Sequence, residues 1–387
     1  GSDGIVEKLG SLNWGIDRDV SDMKTLFTTP TDLEGSGSLA ESWDISGDGL
    51  TYTFNIRPGV KWHDKAPMNG RELTADDVVY NFHRMLGLGD FTDAGPSPFS
   101  GSDPLKAIPW ESITATDKWT VVVKLTKPDV LVTQNMLNDY FFVHAREQIE
   151  KYGDAKDWRN LVGTGPYMMT DWVEGSSITW TKNPDYWGYD EKYPQNRLPY
   201  VDEIRGLIMP EVATYLAALR SGKLDYVGQG LGKISTIDQA ESLQRTNPEL
   251  DLWPQYSRSN HSWVLNLTKP PGSDIKVRHA MQMALDLETI NATFFNGRAD
   301  TTPHGGIGEA HTGWFIPFDE WPEEVKKGYM YDPEGAEKLL DDAGLPRGAD
   351  GIRFTTVADQ EAAAGPSTWE SIAFEYWRAI GVEVEPQ

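Results

Sequence analysis

Cysteine is absent from the 387 residues of this chain. Its absence excludes thiol nucleophiles, disulfide bonds and zinc or iron–sulfur sites built on cysteine ligands. No apolar run approaches the roughly 18 residues of a membrane-spanning helix. Cations are also scarce, since 35 Lys and Arg against 59 Asp and Glu give a net charge of −24. Such a chain lacks the basic surface that nucleic acids and anionic membranes require, so we expect neither as a partner.

The patterns that mark common catalytic and nucleotide-binding sites are missing as well. There is no G-x-S-x-G nucleophile elbow, no H-E-x-x-H zinc motif and no G-x-x-x-x-G-K-[ST] phosphate loop. Gly163-Thr164-Gly165 is better explained as a tight entry to a strand that Pro166 stiffens. Of the seven histidines, only His304 and His311 flank a glycine-rich loop, which is weak evidence for a metal. We therefore expect no catalytic residues, no metal and no cofactor.

Residues 39–84 carry the most informative pattern. Asp48-Gly49 is typical of a hairpin turn, and the alternation of Tyr52, Phe54 and Ile56 with polar residues predicts a half-buried strand. Thr74, with an acidic residue three positions later, predicts a capped helix. The apolar face of that helix comprises Val78, Val79, Phe82, Met85 and Leu86.

The sequences of this segment and of four later ones resemble motifs of the extracytoplasmic solute-binding proteins of family 5. These proteins are the oligopeptide, dipeptide and nickel-binding components of ABC transporters. The first landmark combines Leu39-Ala40-Glu41-Ser42-Trp43 with the strand and helix above. The later landmarks follow in the family's order: Gly163-Thr164-Gly165-Pro166-Tyr167 with Asn183-Pro184-Asp185-Tyr186-Trp187, Leu219-Arg220-Ser221-Gly222, Lys276-Val277-Arg278-His279-Ala280, and Tyr331-Asp332-Pro333-Glu334.

A length of 387 residues fits two or three domains. The resemblance implies an α/β fold with the two-lobed, class II, three-segment architecture of the periplasmic binding proteins, with mixed sheets and an inter-lobe cleft. We expect residues 1–37 to form the first part of lobe 1, 38–160 an extra domain inserted in it, 161–232 its continuation with a glycine-rich hinge, and 233–387 an incomplete lobe 2. Val382–Glu385 reads as a last strand, so we expect a C-terminal part to be missing.

Patterns further along the chain predict individual elements. A second hairpin follows the Asp117-Lys118 turn, and 87–104 reads as a long surface loop. We expect strands near 168–172, 178–182 and 352–357, and helices starting at Pro210 and Pro333. The tryptophans and tyrosine of the landmarks are predicted to pack in the interior rather than to bind a ligand: Trp43, Trp62, Tyr186 and Trp187.

The resemblance implies a non-enzymatic, extracytoplasmic protein, periplasmic or lipid-anchored, that captures peptides and delivers them to permease subunits as a monomer. A secreted hydrolase of peptides or glycans is the alternative, and sugars or nickel complexes remain open as ligands. The segment entering the second lobe mixes rings with polar donors, which suits a peptide backbone or sugar hydroxyls. The candidate ligand-binding residues are: Tyr256, Ser257, Arg258, Asn260, Trp263 and Gln360.

Dipeptide binders of the resembled family hold the two charged ends of their ligand. The carboxylate is held by an arginine in a loop that here reads Asp359-Gln360-Glu361-Ala362, without arginine. The aspartate that holds the amine lies in a downstream segment that is not part of this sequence. Gln360 would tolerate longer peptides, so oligopeptides are expected rather than dipeptides.

Overall fold

A computed structural model describes ten stretches of the chain: 4–10, 37–98, 103–129, 132–136, 141–154, 156–228, 237–252, 263–303, 316–358 and 368–386. They fall into two compact units. The first unit comprises the described residues up to 228, and the second those from 237 onward. The four-part division expected from the sequence stays a prediction.

An antiparallel sheet of four strands dominates the first unit, in the order β1-β2-β4-β3. Its strands are β1 (Ala40–Ile45), β2 (Thr51–Ile56), β3 (Trp110–Asp117) and β4 (Thr120–Leu125). Every second residue of β2 is buried, as the alternation predicts. Phe54 lies opposite Val121, so the buried faces of β2 and β4 meet in one core.

The longest helix of the first unit, α1 (Ala75–Leu86), covers this sheet. It begins as predicted, because the Asp77 carboxylate accepts a hydrogen bond of 2.9 Å from the Thr74 backbone N–H. Gly87 ends it in the left-handed conformation at φ 67°. Phe82 is completely buried and stacks on Phe141 with a ring separation of 4.0 Å. Apolar packing on one face thus fixes the helix on the sheet.

Four further helices of the first unit are short. They are α2 (Asp103–Lys106), α3 (Val132–Met136), α4 (Arg146–Tyr152) and α5 (Val212–Arg220). The loop predicted over 87–104 therefore ends earlier than expected, because Asp103 and Pro104 suit the first turn of a helix. The helix expected from Pro210 begins at Val212, since Glu211 still has extended backbone angles.

A second antiparallel sheet completes the first unit. Its strands β5 (Tyr167–Val173), β6 (Ser177–Lys182) and β7 (Glu203–Leu207) lie in sequence order. The strands near 168–172 and 178–182 are thereby confirmed, whereas β7 was not predicted. Met169 lies opposite Trp180 on the face that packs against Ile5 and Val6.

Residues 4–10, the connecting segment, contact both parts of the first unit. Leu9 O accepts the backbone N–H groups of Ser38 and Ala40 at 3.0 and 2.9 Å. Four residues earlier, Ile5 O accepts the Gly165 N–H at 2.9 Å. Because Ile5 and Leu9 are both fully buried, the segment joins the surroundings of the two sheets through backbone hydrogen bonds and core packing.

The second unit alternates helices with two strands. Its helices are α6 (Ile237–Thr246), α7 (Ile275–Met283), α8 (Leu287–Phe294), α9 (Glu323–Lys326), α10 (Pro333–Asp342) and α11 (Thr368–Ala379). The strands β8 (Phe354–Ala358) and β9 (Val382–Pro386) are parallel, with Phe354 opposite Val382. The helix predicted from Pro333 is confirmed, and its Asp332 cap accepts the Gly335 N–H at 2.8 Å.

Arg353 fastens the end of this small sheet to α10. Only 2 % of its side chain is exposed, and it pairs with the carboxylates of Glu337 and Asp341. It also donates to the carbonyls of Leu345 and Ile380 at 2.7 and 3.0 Å. The charge of the guanidinium is therefore balanced by two carboxylates, and its N–H groups also donate to two backbone carbonyls. Over the described stretches, no helix has both the length and the apolar character needed to cross a membrane.

Candidate functional site

The segment Gly163-Thr164-Gly165 lies where the connecting segment approaches β5. A Cβ atom added to Gly163 would lie 1.8 Å from the Ile5 carbonyl oxygen, and one added to Gly165 would lie 2.5 Å from that of Gly4. Both distances are impossible for a side chain, so only glycine permits this close backbone approach. The prediction of a tight strand entry rather than a phosphate loop is confirmed.

His63 holds this glycine segment in place. Its Nδ1 accepts the Gly163 N–H at 3.2 Å, and its Nε2 lies 3.0 Å from the Gly165 carbonyl oxygen. The ring is buried, and burial lowers its pKa to about 4. A neutral imidazole with Nε2–H donating satisfies both contacts. His63 therefore links the landmark around Trp62 to the landmark around Pro166 and is not free to transfer protons.

Glu7 lies in the same region, buried and held by neutral donors. Its carboxylate oxygens accept the Tyr186 hydroxyl at 3.1 Å and the Trp187 indole N–H at 3.0 Å. Burial raises the pKa of Glu7 to about 7, although the two donors and the charge of Arg57 oppose the rise. Arg57 itself stacks over the Trp187 ring at 4.5 Å. Tyr186 and Trp187 thus pack against their neighbours, as predicted, and they also donate hydrogen bonds to Glu7, which was not predicted.

A groove of about 350 Å³ opens beside this cluster in the first unit. Its lining comes from three places in the sequence: Asp64 and Lys65, Trp158 and Arg159, and the β5 residues Met168, Met169 and Thr170. The Lys65 ammonium donates to the Leu161 carbonyl at 3.3 Å, and burial lowers its pKa. Arg159 lies over the Trp158 ring at 5.0 Å.

The groove offers apolar binding chemistry, because an aromatic ring and two thioethers can contact an apolar group. Its charged lining is mixed, since Asp64 lies beside the two cations and Arg159 already pairs with Asp157 at 3.3 Å. The nearest imidazole, His63, is engaged by backbone groups at both ring nitrogens. The stretches described here also hold no group of three or more His, Asp or Glu side chains suited to a metal.

Most residues predicted to bind the ligand lie outside the described residues: Tyr256, Ser257, Arg258, Asn260 and Gln360. His304, His311, Gly230 and Gly232 lie outside them too. Trp263 is described and partly buried, with its ring 5.2 Å from Phe374 and 5.3 Å from Trp377. It packs in the core of the second unit, and its role toward a ligand stays a prediction.

Sequence reasoning missed Glu7 and the role of His63. His63 stands inside a landmark, but its partner glycines are 100 residues away, and no pattern in one sequence connects them. Glu7 is a single acid among 59, in a segment without strong periodicity. One available signal was the pair of glycines before Pro166 in Gly163-Thr164-Gly165-Pro166, which is typical of a close backbone approach.

The chain is similar in sequence to a known protein family and to individual known proteins. Residues 35–387 match the model of bacterial extracellular solute-binding proteins, family 5. The chain is 28 % identical over 366 residues to heme-binding protein A of Haemophilus influenzae, covering 92 % of this chain and 62 % of that protein. It is 29 % identical over 382 residues to di/tripeptide-binding protein 1 of Pseudomonas aeruginosa, covering 94 % and 66 %. The chain thus spans just under two thirds of these relatives.

Solved structures show the same fold. The periplasmic binding protein DppA of Helicobacter pylori, in complex with the peptide STSA, superposes with a TM-score of 0.70 at 23 % identity, covering 99 % of this chain and 68 % of that one. The oligopeptide-binding protein AppA of Bacillus subtilis, in complex with a nonapeptide, gives 0.68 at 21 %, with the same coverage. The predicted α/β fold class of the periplasmic binding proteins is confirmed.

Proposed function

Because the chain belongs to the bacterial extracellular solute-binding proteins of family 5, we propose that it is the substrate-binding component of an ABC importer. It binds a peptide outside the cytoplasm, between its two lobes, and delivers it to the permease subunits without chemical change. Ligand contacts to both lobes favour the closed form through their differential affinity.

The family match over residues 35–387 carries this proposal. The relatives support binding rather than catalysis, because the two cited above are named as binding proteins. Peptide is preferred to heme as the ligand because other relatives are also named for peptides, including the dipeptide-binding protein of Escherichia coli at 28 % identity. The arrangement of His63 supports the same view, since its ring nitrogens are occupied by backbone groups.

The residues that bind the ligand are Tyr256, Ser257, Arg258, Asn260, Trp263 and Gln360, as the sequence predicts. In this proposal the rings provide contact area, and the hydroxyl, amide and guanidinium groups orient the peptide backbone. Gln360 leaves one end of the site without a fixed positive charge, which favours oligopeptides over dipeptides.

Thermal unfolding with peptide pools of two, three and five to nine residues tests the proposal. A cognate peptide at 100 times its Kd stabilises the folded protein by about 2.7 kcal/mol, which raises the Tm by several degrees. Mass spectrometry of the recovered ligand shows whether it is intact. Intact peptide supports binding, whereas cleavage products support the alternative of a secreted hydrolase.

Two variants make the test specific. R258Q should abolish most of the Tm shift, since it removes the proposed guanidinium contact. R298Q is the matched control, because Arg298 is an exposed arginine of the second unit that pairs with Glu241 at 2.7 Å, and it should retain the full shift. A protein that is folded but shows no shift with any peptide pool, sugar or nickel complex contradicts the proposal.

A further inference from the structure

Lys65 is one of the residues that line the groove of the first unit, together with Trp158, Met168 and Met169. Its side chain is half-buried, and its ammonium donates to the Leu161 carbonyl at 3.3 Å. No carboxylate of the described residues forms an ion pair with this ammonium. The amine is therefore partly withdrawn from water without the opposite charge that its protonated form would require.

Other half-buried lysines of the protein have an acidic partner. Three of them pair with carboxylates at 2.8, 2.8 and 3.9 Å: Lys106 with Asp103, Lys326 with Glu323, and Lys182 with Asp202. At Lys65 a neutral carbonyl stands in place of the carboxylate. Burial lowers the pKa of the Lys65 ammonium, and the charge of Asp157 opposes this change only in part. A larger share of this lysine is thus in the neutral form, which is the nucleophilic one.

The groove brings an apolar surface to this amine. Trp158 packs at the edge of the core around the connecting segment, and Arg159 lies over its ring at 5.0 Å. Met168 and Met169 add two thioethers, which make favourable contacts with aromatic rings. The volume of about 350 Å³ lies at the lower end of the range for small-molecule sites. The groove is therefore sized for a ligand of about one ring.

We propose that the groove binds small aromatic aldehydes and that Lys65 holds them covalently as an imine. The ring of the aldehyde lies against Trp158 and the thioethers, and its carbonyl carbon faces the Lys65 amine. The nitrogen lone pair forms the new bond to this carbon. The two amine protons leave with the carbonyl oxygen as water, so a C=N bond replaces the C=O bond. This inference goes beyond peptide import and does not depend on it.

Benzaldehyde is the probe, with sodium cyanoborohydride to trap the imine as a stable benzylamine. Peptide mapping by mass spectrometry, on the unaltered protein at pH 7, gives the rate of labelling at each lysine. Lys65 should be labelled about tenfold faster than Lys156 and Lys338, although their side chains are 89 % and 79 % exposed. Partial burial of a ring favours binding by about this factor. Equal rates at the three lysines overturn the proposal.

The same unaltered protein shows whether binding precedes the bond. The rate at Lys65 should saturate as the benzaldehyde concentration rises, whereas the rate at Lys156 should rise linearly. Benzyl alcohol has the ring but no carbonyl, so it should slow labelling of Lys65 and leave Lys156 unchanged. A linear rate at Lys65 that benzyl alcohol does not change indicates a reactive amine without a binding site, and contradicts the proposal.

Two tryptophan variants locate the ring of the ligand. W158A removes the aromatic wall and should slow labelling of Lys65 by benzaldehyde about tenfold, with little change for acetaldehyde. W172A is the matched control, because Trp172 is 43 % exposed on β5 outside the groove lining, and it should leave both rates unchanged. Equal slowing of both aldehydes in W158A contradicts the proposal. If W158A does not fold, the benzyl alcohol competition still decides, since it needs no variant.

Discussion

Two buried carboxylates of the first unit, Asp77 and Glu7, are stabilised in opposite ways. Asp77, with 4 % of its side chain exposed, is held by the two-pronged guanidinium of Arg71. Glu7 is held by a phenol and an indole, and its nearest cation, Arg57, is occupied by the Ser38 carbonyl and the Trp187 ring. The first carboxylate is paired with a full opposite charge, whereas the second favours a proton near neutral pH.

The difference shows that burial alone does not determine how a carboxylate is stabilised, because the available partners matter as well. A full opposite charge compensates for lost hydration, while neutral donors compensate only in part. The stability of the region around α1 should therefore depend on the ion pair between Arg71 and Asp77. The stability of the region around the connecting segment should depend on pH. Three experiments address this contrast, in order of decreasing effect.

Removing Arg71 should have the largest effect. R71M leaves the Asp77 carboxylate buried without its cation, which costs about 3–5 kcal/mol of unfolding free energy. Urea unfolding at pH 7 measures the loss. R146M is the matched control, because Arg146 and Glu150 form an exposed pair worth less than about 1 kcal/mol. Equal losses of unfolding free energy in both variants would show that the pair of Arg71 and Asp77 contributes no more than an exposed ion pair.

Titrating Glu7 should have the next largest effect. A folded pKa of about 7, against an ordinary 4.5, means that the folded state binds the proton more tightly than the unfolded state does. Stability is therefore greatest below about pH 4.5 and declines by about 3 kcal/mol as the pH rises to about 7.

The substitution E7Q removes the titrating group and should flatten this decline. Unfolding free energies of both proteins at several values between pH 4.5 and 8 give the comparison. The difference between them isolates Glu7 from the other acids, which titrate in both proteins. A decline of the same size in E7Q would show that Glu7 is not responsible.

Removing the Tyr186 hydroxyl should have the smallest effect. Y186F takes one of two donors from the Glu7 carboxylate, at a cost of about 1 kcal/mol at neutral pH. The charged form loses more than the protonated form, so the decline of stability should extend to higher pH. Y189F, at a tyrosine that is 55 % exposed, is the control and should leave the pH profile unchanged. A Y186F profile identical to that of Y189F would rule out the hydrogen bond.

The parts of the fold that could be predicted are those in which local pattern and burial agree. The alternation in β2 and the capped start of α1 both follow from short-range chemistry. The strand β7 could not be predicted, because three of its five residues are exposed and it depends on pairing with β6. An edge strand of this kind has little periodicity of its own.

The site was less predictable than the fold. Family resemblance directed attention to the entry of the second lobe, where Tyr256 and its neighbours lie outside the described residues. The chemically unusual groups of the first unit, Glu7 and Lys65, are set apart by what surrounds them in space. A single sequence shows that such charged residues are present, but it does not show which side chains lie next to them in the fold.

The connecting segment has a practical consequence for protein engineering. Its backbone joins Ser38 and Ala40 at one end and Gly165 at the other, through carbonyls of Leu9 and Ile5 that no side chain can replace. A split reporter cut between the two sheets of the first unit would therefore leave one fragment without the peptide groups it must pair with. A fluorophore is better attached at the side chain of Tyr193, which is 58 % accessible.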